Sequence, residues 1–207
     1  FYEEKQISNS LAKNLYKLWK EKIISTNNSF DIALRLSIAG NIMDYGASNS
    51  YNIETTIDTV LNSDFKIDYT RELKNRIQNS KTILYLGDNA GEIVFDKLFL
   101  EEINHENVYY AVKSAPVLND ITIDDAYDVG INTVSKVISN GYDAPSTILE
   151  KCSDDFLKLY NSADLIISKG QGNLEGLIKA NDSRIFFLLM IKCDVIAELL
   201  NVQKGDF

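Results

Sequence analysis

The sequence predicts a helical part followed by an α/β part, whose sheet is mostly parallel and covered by helices on both faces. Three observations carry this reading. Apolar residues recur at helical spacing through the first eighty positions. From Lys81 onward, short runs that are apolar on both faces alternate with helical stretches, and those runs end in glycine or polar residues. The arrangement is Rossmann-like, in α/β/α layers, with residues 1–80 helical and residues 81–207 carrying the sheet.

In the helical part Leu11, Leu15, Leu18 and Trp19, then Ile32, Leu34, Leu36, Ile38, Ala39, Ile42 and Met43, mark the apolar faces of about four helices. Ser8, Ser29 and Asp64 are the expected N-caps, with breaks at Asn27-Asn28 and at Gly46-Ala47-Ser48-Asn49. Strands are expected at 82–86, 108–112, 133–138, 165–168 and 185–189. No Ser/Pro/Gly-rich linker separates the two parts and no solenoid repeat is visible, so they should pack against each other closely.

Composition narrows the function. With 45% hydrophobic and 25% charged residues in 207, the chain has the make-up of a folded protein, and its longest apolar runs fall well short of a bilayer-crossing helix. Thirty acidic residues against 21 basic ones give a net charge of -9, which disfavours nucleic acid and anionic membranes and favours a small ligand. Cys152 and Cys193 form no CxxC pair, which predicts a reduced, cytoplasmic protein. The sole histidine, His105, falls in a helix-to-strand loop, excluding histidine-based triads. The chain starts at Phe1 without Met or the regions of a signal peptide, which predicts a trimmed N-terminus.

Ligands in open α/β sheets bind at the carboxyl ends of strands, so the residues following each run are the informative ones. After the first comes Gly87-Asp88-Asn89-Ala90-Gly91-Glu92, opening a helix. Asp88 and Asn89 either cap that helix or place two hard oxygen ligands side by side. After the second, Asp120 is either a third oxygen ligand or an N-cap, and Asp124 and Asp125 read as a solvated first turn. The fourth leads into Ser168-Lys169-Gly170-Gln171-Gly172-Asn173, where a strand-end lysine and backbone amides either hold an anion or form a surface turn. Lys192 follows the fifth, and Cys193 beside it reads as a buried, inert thiol. In the helical part, Asn41 and Asp44 share one helix face, which a cap at Gly46 leaves unexplained.

Taken together, Ala39-Gly40-Asn41-Ile42-Met43-Asp44-Tyr45-Gly46, Gly87 to Glu92, Leu118-Asn119-Asp120-Ile121-Thr122, Ser168 to Glu175 and Lys192-Cys193 resemble, in order, the motifs of the damage-control phosphatase family, the domain of unknown function numbered 89, in its short microbial branch. The resemblance implies a divalent metal (Mn, Mg, Co or Ni) held by Asp88, Asn89 and Asp120, with Lys169 and Lys192 facing a substrate phosphate. It further implies catalytic roles for Asp88 and Lys169, and substrate contacts from Asn41, Asp44, Gly91, Glu92, Gly170 and Asn173. The short branch carries an N-terminal segment with a CxxC pair, which this sequence lacks.

The expected function is metal-dependent hydrolysis of small phosphorylated metabolites, with water favoured over a metal-bound carboxylate as nucleophile; an oligomer is compatible with it. The rival readings are carboxyl methyl transfer from S-adenosylmethionine and a non-catalytic metabolite-binding module.

Overall fold

The computed structural model describes residues 1–40 and 53–207. Among the described residues, four helices precede the sheet: α1 (Tyr2–Ile24), α2 (Ser29–Gly40), α3 (Ile53–Asn62) and α4 (Thr70–Asn79). There follow β1 (Ile83–Leu86), α5 (Glu92–Ile103), β2 (Val108–Val112), α6 (Ile123–Val129), β3 (Lys136–Ser139), α7 (Asp154–Ser162), β4 (Leu165–Lys169), α8 (Gly170–Leu177), β5 (Ile185–Leu188) and α9 (Asp194–Leu200). All five strands are parallel, in the order β3-β2-β1-β4-β5. The expected helical part and parallel α/β sheet are both present.

The alternation of side chains along β1 explains the layers. Ile83 and Tyr85 join an apolar cluster with Phe95 and Phe99 of α5, Ala12 and Trp19 of α1, and Leu34 and Ile38 of α2. Leu84 and Leu86 enter a second cluster with Phe156 and Tyr160 of α7 and Leu177 of α8. Both faces of the central strands are thus buried, and the first cluster runs without interruption from the helical part into the sheet.

Several boundaries differ from the sequence expectation. Ser8 lies inside α1 and is buried, not a cap. Ser29 is the first residue of α2, but its Oγ donates to Glu102 Oε1 at 2.7 Å. Asp64 sits in a connector, and Asp68 Oδ1 accepts from Thr70 N at the start of α4. The third strand begins at Lys136 instead of 133, because Ile131–Thr133 is a 3-10 turn in which Thr133 Oγ1 bonds the Gly130 carbonyl at 2.7 Å. Such local side-chain to backbone bonds compete with the extended ladder.

The strand order reverses beside β1: the connection leaving β1 leads to β2 on one side, while that leaving β4 leads to β5 on the other. This topological switch point places the β1 and β4 loops around one crevice.

Candidate functional site

Two loops at this edge are laced together. Asn89 and Asp120 form an antiparallel bridge, in which Ala90 N donates to Asn119 O at 2.9 Å and Ile121 N to Asp88 O at 3.0 Å. The loops after β1 and β2 therefore bring Asp88, Asn89 and Asp120 together, although 32 positions separate Asp88 from Asp120. Asn89 Nδ2 donates to Asp88 Oδ2 at 2.7 Å. Neither Asp88 nor Asn89 caps α5, whose N-cap position is Gly91, and Asp120 does not cap α6, which is capped by Thr122. Asp124 is exposed as expected, but Asp125 is buried: its carboxylate completes a capping box with Thr122 and pairs with Lys5 of α1.

From the other side of the switch point comes Gly170, with φ +77, in the left-handed region that favours glycine. A Cβ there would lie 1.9 Å from Asp88 Oδ2, so the Asp88 carboxylate occupies the space the missing side chain leaves at the start of α8. Asn173 ties the two strand ends together, its Nδ2 donating to Gly87 O at 3.2 Å and Lys169 O at 2.9 Å, while its Oδ1 accepts from Thr147 Oγ1 at 2.7 Å.

Lys169 is completely buried and forms the floor of the site. Its Nζ donates to Glu92 Oε1 at 2.5 Å, Asp96 Oδ1 at 2.6 Å and the Ser37 carbonyl of α2 at 2.8 Å. Tyr85 and Tyr110 complete the shell, their hydroxyls donating to Asp96 at 2.8 and 2.7 Å. Burial opposes the Lys169 charge, but Asp96 and Glu92 outweigh it and hold the ammonium above its ordinary range. Burial and the Asp96 charge push both tyrosine hydroxyls well up, so they act as donors only.

The Asp88 carboxyl is driven well above the usual carboxylate range, by burial first and then by the charges of Glu92 and Asp120, against which Lys192 and Lys169 act. A half-buried and a buried aspartate with an adjacent amide are a hard-oxygen donor set, and their crowding is what a divalent cation would relieve. The residues present therefore fit such an ion. Among the described residues no group of three or more His, Cys, Asp or Glu could hold one, and the Asn89 amide stands beside the Asp88 carboxylate.

Lys192 is half-buried, and its backbone N–H donates to Gln171 Oε1 at 3.0 Å. Cys193 is half-buried, not fully buried, and its sulfur accepts from Gln171 Nε2. Asn41 and Asp44 lie outside the described residues. Sequence reasoning gave no role to Lys113, which follows β2 and is 4% exposed; its ammonium bonds the Ser146 carbonyl and lies 3.7 Å from Asp120 Oδ2. Burial lowers its pKa, with Asp120 and Asp88 countering. Asp96 and Asn9 were also missed. Asp96 reads locally as an ordinary helical residue between Phe95 and Lys97, and Asn9 carries no motif.

Hard-oxygen donors and lysines gathered at the switch point of a parallel sheet define an α/β site suited to a cation and an anionic ligand. The whole chain, residues 1–207, matches the family model of the damage-control phosphatase ARMT1-like domain, and the protein belongs to that family. It is 43% identical over 209 residues to an uncharacterised protein of Methanocaldococcus jannaschii, covering 94% of this chain and 69% of that one. It is 38% identical to a damage-control phosphatase of Pyrococcus horikoshii, over 99% of this chain and 72% of the relative. The crystal structure of a DUF89 family protein from Pyrococcus horikoshii superposes with a TM-score of 0.90 at 36% identity, over 100% of this chain and 73% of the other.

Proposed function

We propose that this phosphatase hydrolyses small phosphorylated metabolites, using a divalent cation held by Asp88, Asn89 and Asp120. The observation that carries the reading is the laced pair of loops, which brings three oxygen donors to the switch point. The family relationship supports it, since relatives of this chain are named damage-control phosphatases. When bound, the cation supplies neutralisation of phosphate charge and polarisation of the P–O bond. Water attacks phosphorus, the ester P–O bond breaks, and the leaving alkoxide takes up the proton that the attacking water gives up. Lys192 at the mouth and the amides opening α8 stabilise charge on the phosphate oxygens, and Lys169 holds Glu92 in place beneath them. Gly91 and Asn173 keep the two loops shaped around the phosphate. A reduced, cytoplasmic setting suits two free cysteines, and no described helix is long and apolar enough to cross a membrane.

The methyltransferase reading needs an acidic residue after β2 to hold ribose hydroxyls. That position is Lys113, already engaged by Ser146 and Asp120. The test is a panel of sugar phosphates, nucleotides and phosphopantetheine compounds against Mn, Mg, Co and Ni. Metal-stimulated phosphate release that Asp88→Ala abolishes is the expected result. Occupancy by a metabolite without turnover under every metal would leave a binding module instead.

A further inference from the structure

The helical part reaches the site through one face of α1. Lys5 and Asn9 stand one turn apart, and both are buried, at 6% and 1% exposure. Asn9 Oδ1 accepts from Gly91 N at 2.7 Å, taking up the amide at the N-cap of α5, two residues beyond Asn89. Lys5 pairs with Asp125 Oδ2, the same oxygen that accepts from the Thr122 amide at 2.8 Å and the Thr122 hydroxyl at 2.7 Å, two residues beyond Asp120. Each loop carrying proposed metal ligands is thus held from behind by the same helix, across 82 and 120 positions of sequence.

We propose that the first turns of α1 are a brace that sets the two ligand-bearing loops against each other, with Lys5 and Asn9 as positioning residues. The bridge between the loops sets their register through the Ala90–Asn119 and Asp88–Ile121 backbone hydrogen bonds, and bonds of that kind are individually weak. The brace adds an anchor to each loop from the helical part. The identity of residue 9 fits this role. Its Nδ2 is buried with no hydrogen-bond partner among the described residues, a cost tolerated for the sake of the amide oxygen on Gly91 N. Aspartate would supply the same acceptor without the orphaned donor, but would add a negative charge to a region already holding Asp88, Asp120 and Glu92.

The inference rests on the metal reading only for its consequence, and two measurements keep the two separable. In metal-free protein, Asn9→Leu and Lys5→Met should each speed hydrogen exchange at the Ala90 and Ile121 amides, the two that lace the loops, by about fivefold to tenfold. Lys5→Arg should restore the slow rate. In metal titrations both variants should weaken Mn binding by about 10–100-fold, the range seen when groups supporting metal ligands are removed. Tyr16→Phe is the control, because it removes a tether between α1 and Glu101 of α5, away from the site. It should lower the melting temperature without changing either readout. Unchanged exchange at Ala90 and Ile121 in both variants, or an equal change in Tyr16→Phe, overturns the brace. Faster exchange in a protein that binds no Mn supports the brace and removes the metal reading instead.

Discussion

Gly170→Ala tests the packing of the site most directly, because two separable effects meet there. The first is backbone strain: φ is +77, and an L side chain in that region costs about 1–2 kcal/mol. For a protein of this size that corresponds to a fall in melting temperature of roughly 2–8 °C. The second is displacement. The new Cβ would lie 1.9 Å from Asp88 Oδ2, whereas ordinary contact begins at 3.4 Å, so the carboxylate must retreat by about 1.5 Å or α8 must shift. A misplacement of about 1 Å at a reacting centre can cost 10²-fold, so kcat/KM should fall by about that factor even at saturating metal. Gly205→Ala separates the effects, because its φ is +97 with nothing within 4 Å of the new Cβ. It should reproduce the loss of melting temperature and leave kcat/KM unchanged. Steady-state kinetics on the best phosphate ester, beside thermal melting of both variants, make the comparison. A Gly170→Ala protein with wild-type kcat/KM would remove Asp88 from the reacting centre.

Asp88→Ala should abolish metal-stimulated turnover without lowering the melting temperature of the metal-free protein, since burial and neighbouring carboxylates already oppose its charge; near-normal activity at saturating metal would refute its role. Lys169→Ala should lower kcat/KM by about 10²-fold, the cost of a displacement of about 1 Å passed on through Glu92. It should also lose about 3–5 kcal/mol, because Glu92 and Asp96 would be left buried without their shared cation; urea denaturation reads the second effect. Cys152, whose thiol burial pushes up to about 11, should resist iodoacetamide at neutral and mildly alkaline pH, as mass spectrometry of the labelled peptide would show. Because its folded pKa lies above the unfolded value of 9.0, its contribution to stability is complete below pH 9 and is lost as pH rises toward 11. Cys152→Ser should therefore flatten the alkaline limb of stability measured by chemical denaturation.

Much of the fold was legible because it rests on local pattern. Within the strands expected at 82–86, 108–112 and 165–168, the segments 83–86, 108–112 and 165–167 are apolar on both faces, as a strand buried from both sides requires. The polar loops at the sheet edge were legible for a related reason: acids and amides directly after a buried strand emerge there wherever the helices pack. The strand at 136 was misjudged because Thr133 and Val134 have strand propensity, yet Thr133 and Ser135 spend their hydroxyls on the carbonyls of Gly130 and Ile131. The floor of the site was not legible at all. Lys169 meets Glu92 and Asp96 across 77 and 73 positions and Ser37 across 132, and no periodicity or spacing encodes such meetings. A strand-end lysine looks the same whether it faces solvent or two carboxylates.

The fully buried Lys169 also bears on the order in which a growing chain can complete the site. The loops carrying Asp88, Asn89 and Asp120 lie between β1 and α6, so they leave the ribosome well before β4. Until residue 169 emerges, the Lys169 ammonium that sits between Glu92 and Asp96 is missing, and Asp88 lacks its countering charge as well. A nascent chain ending short of β4 therefore holds carboxylates that water must solvate, which keeps that corner open. Arrival of a single side chain from the fourth strand lets it close, so the pocket becomes dry only after the central strands have been synthesised.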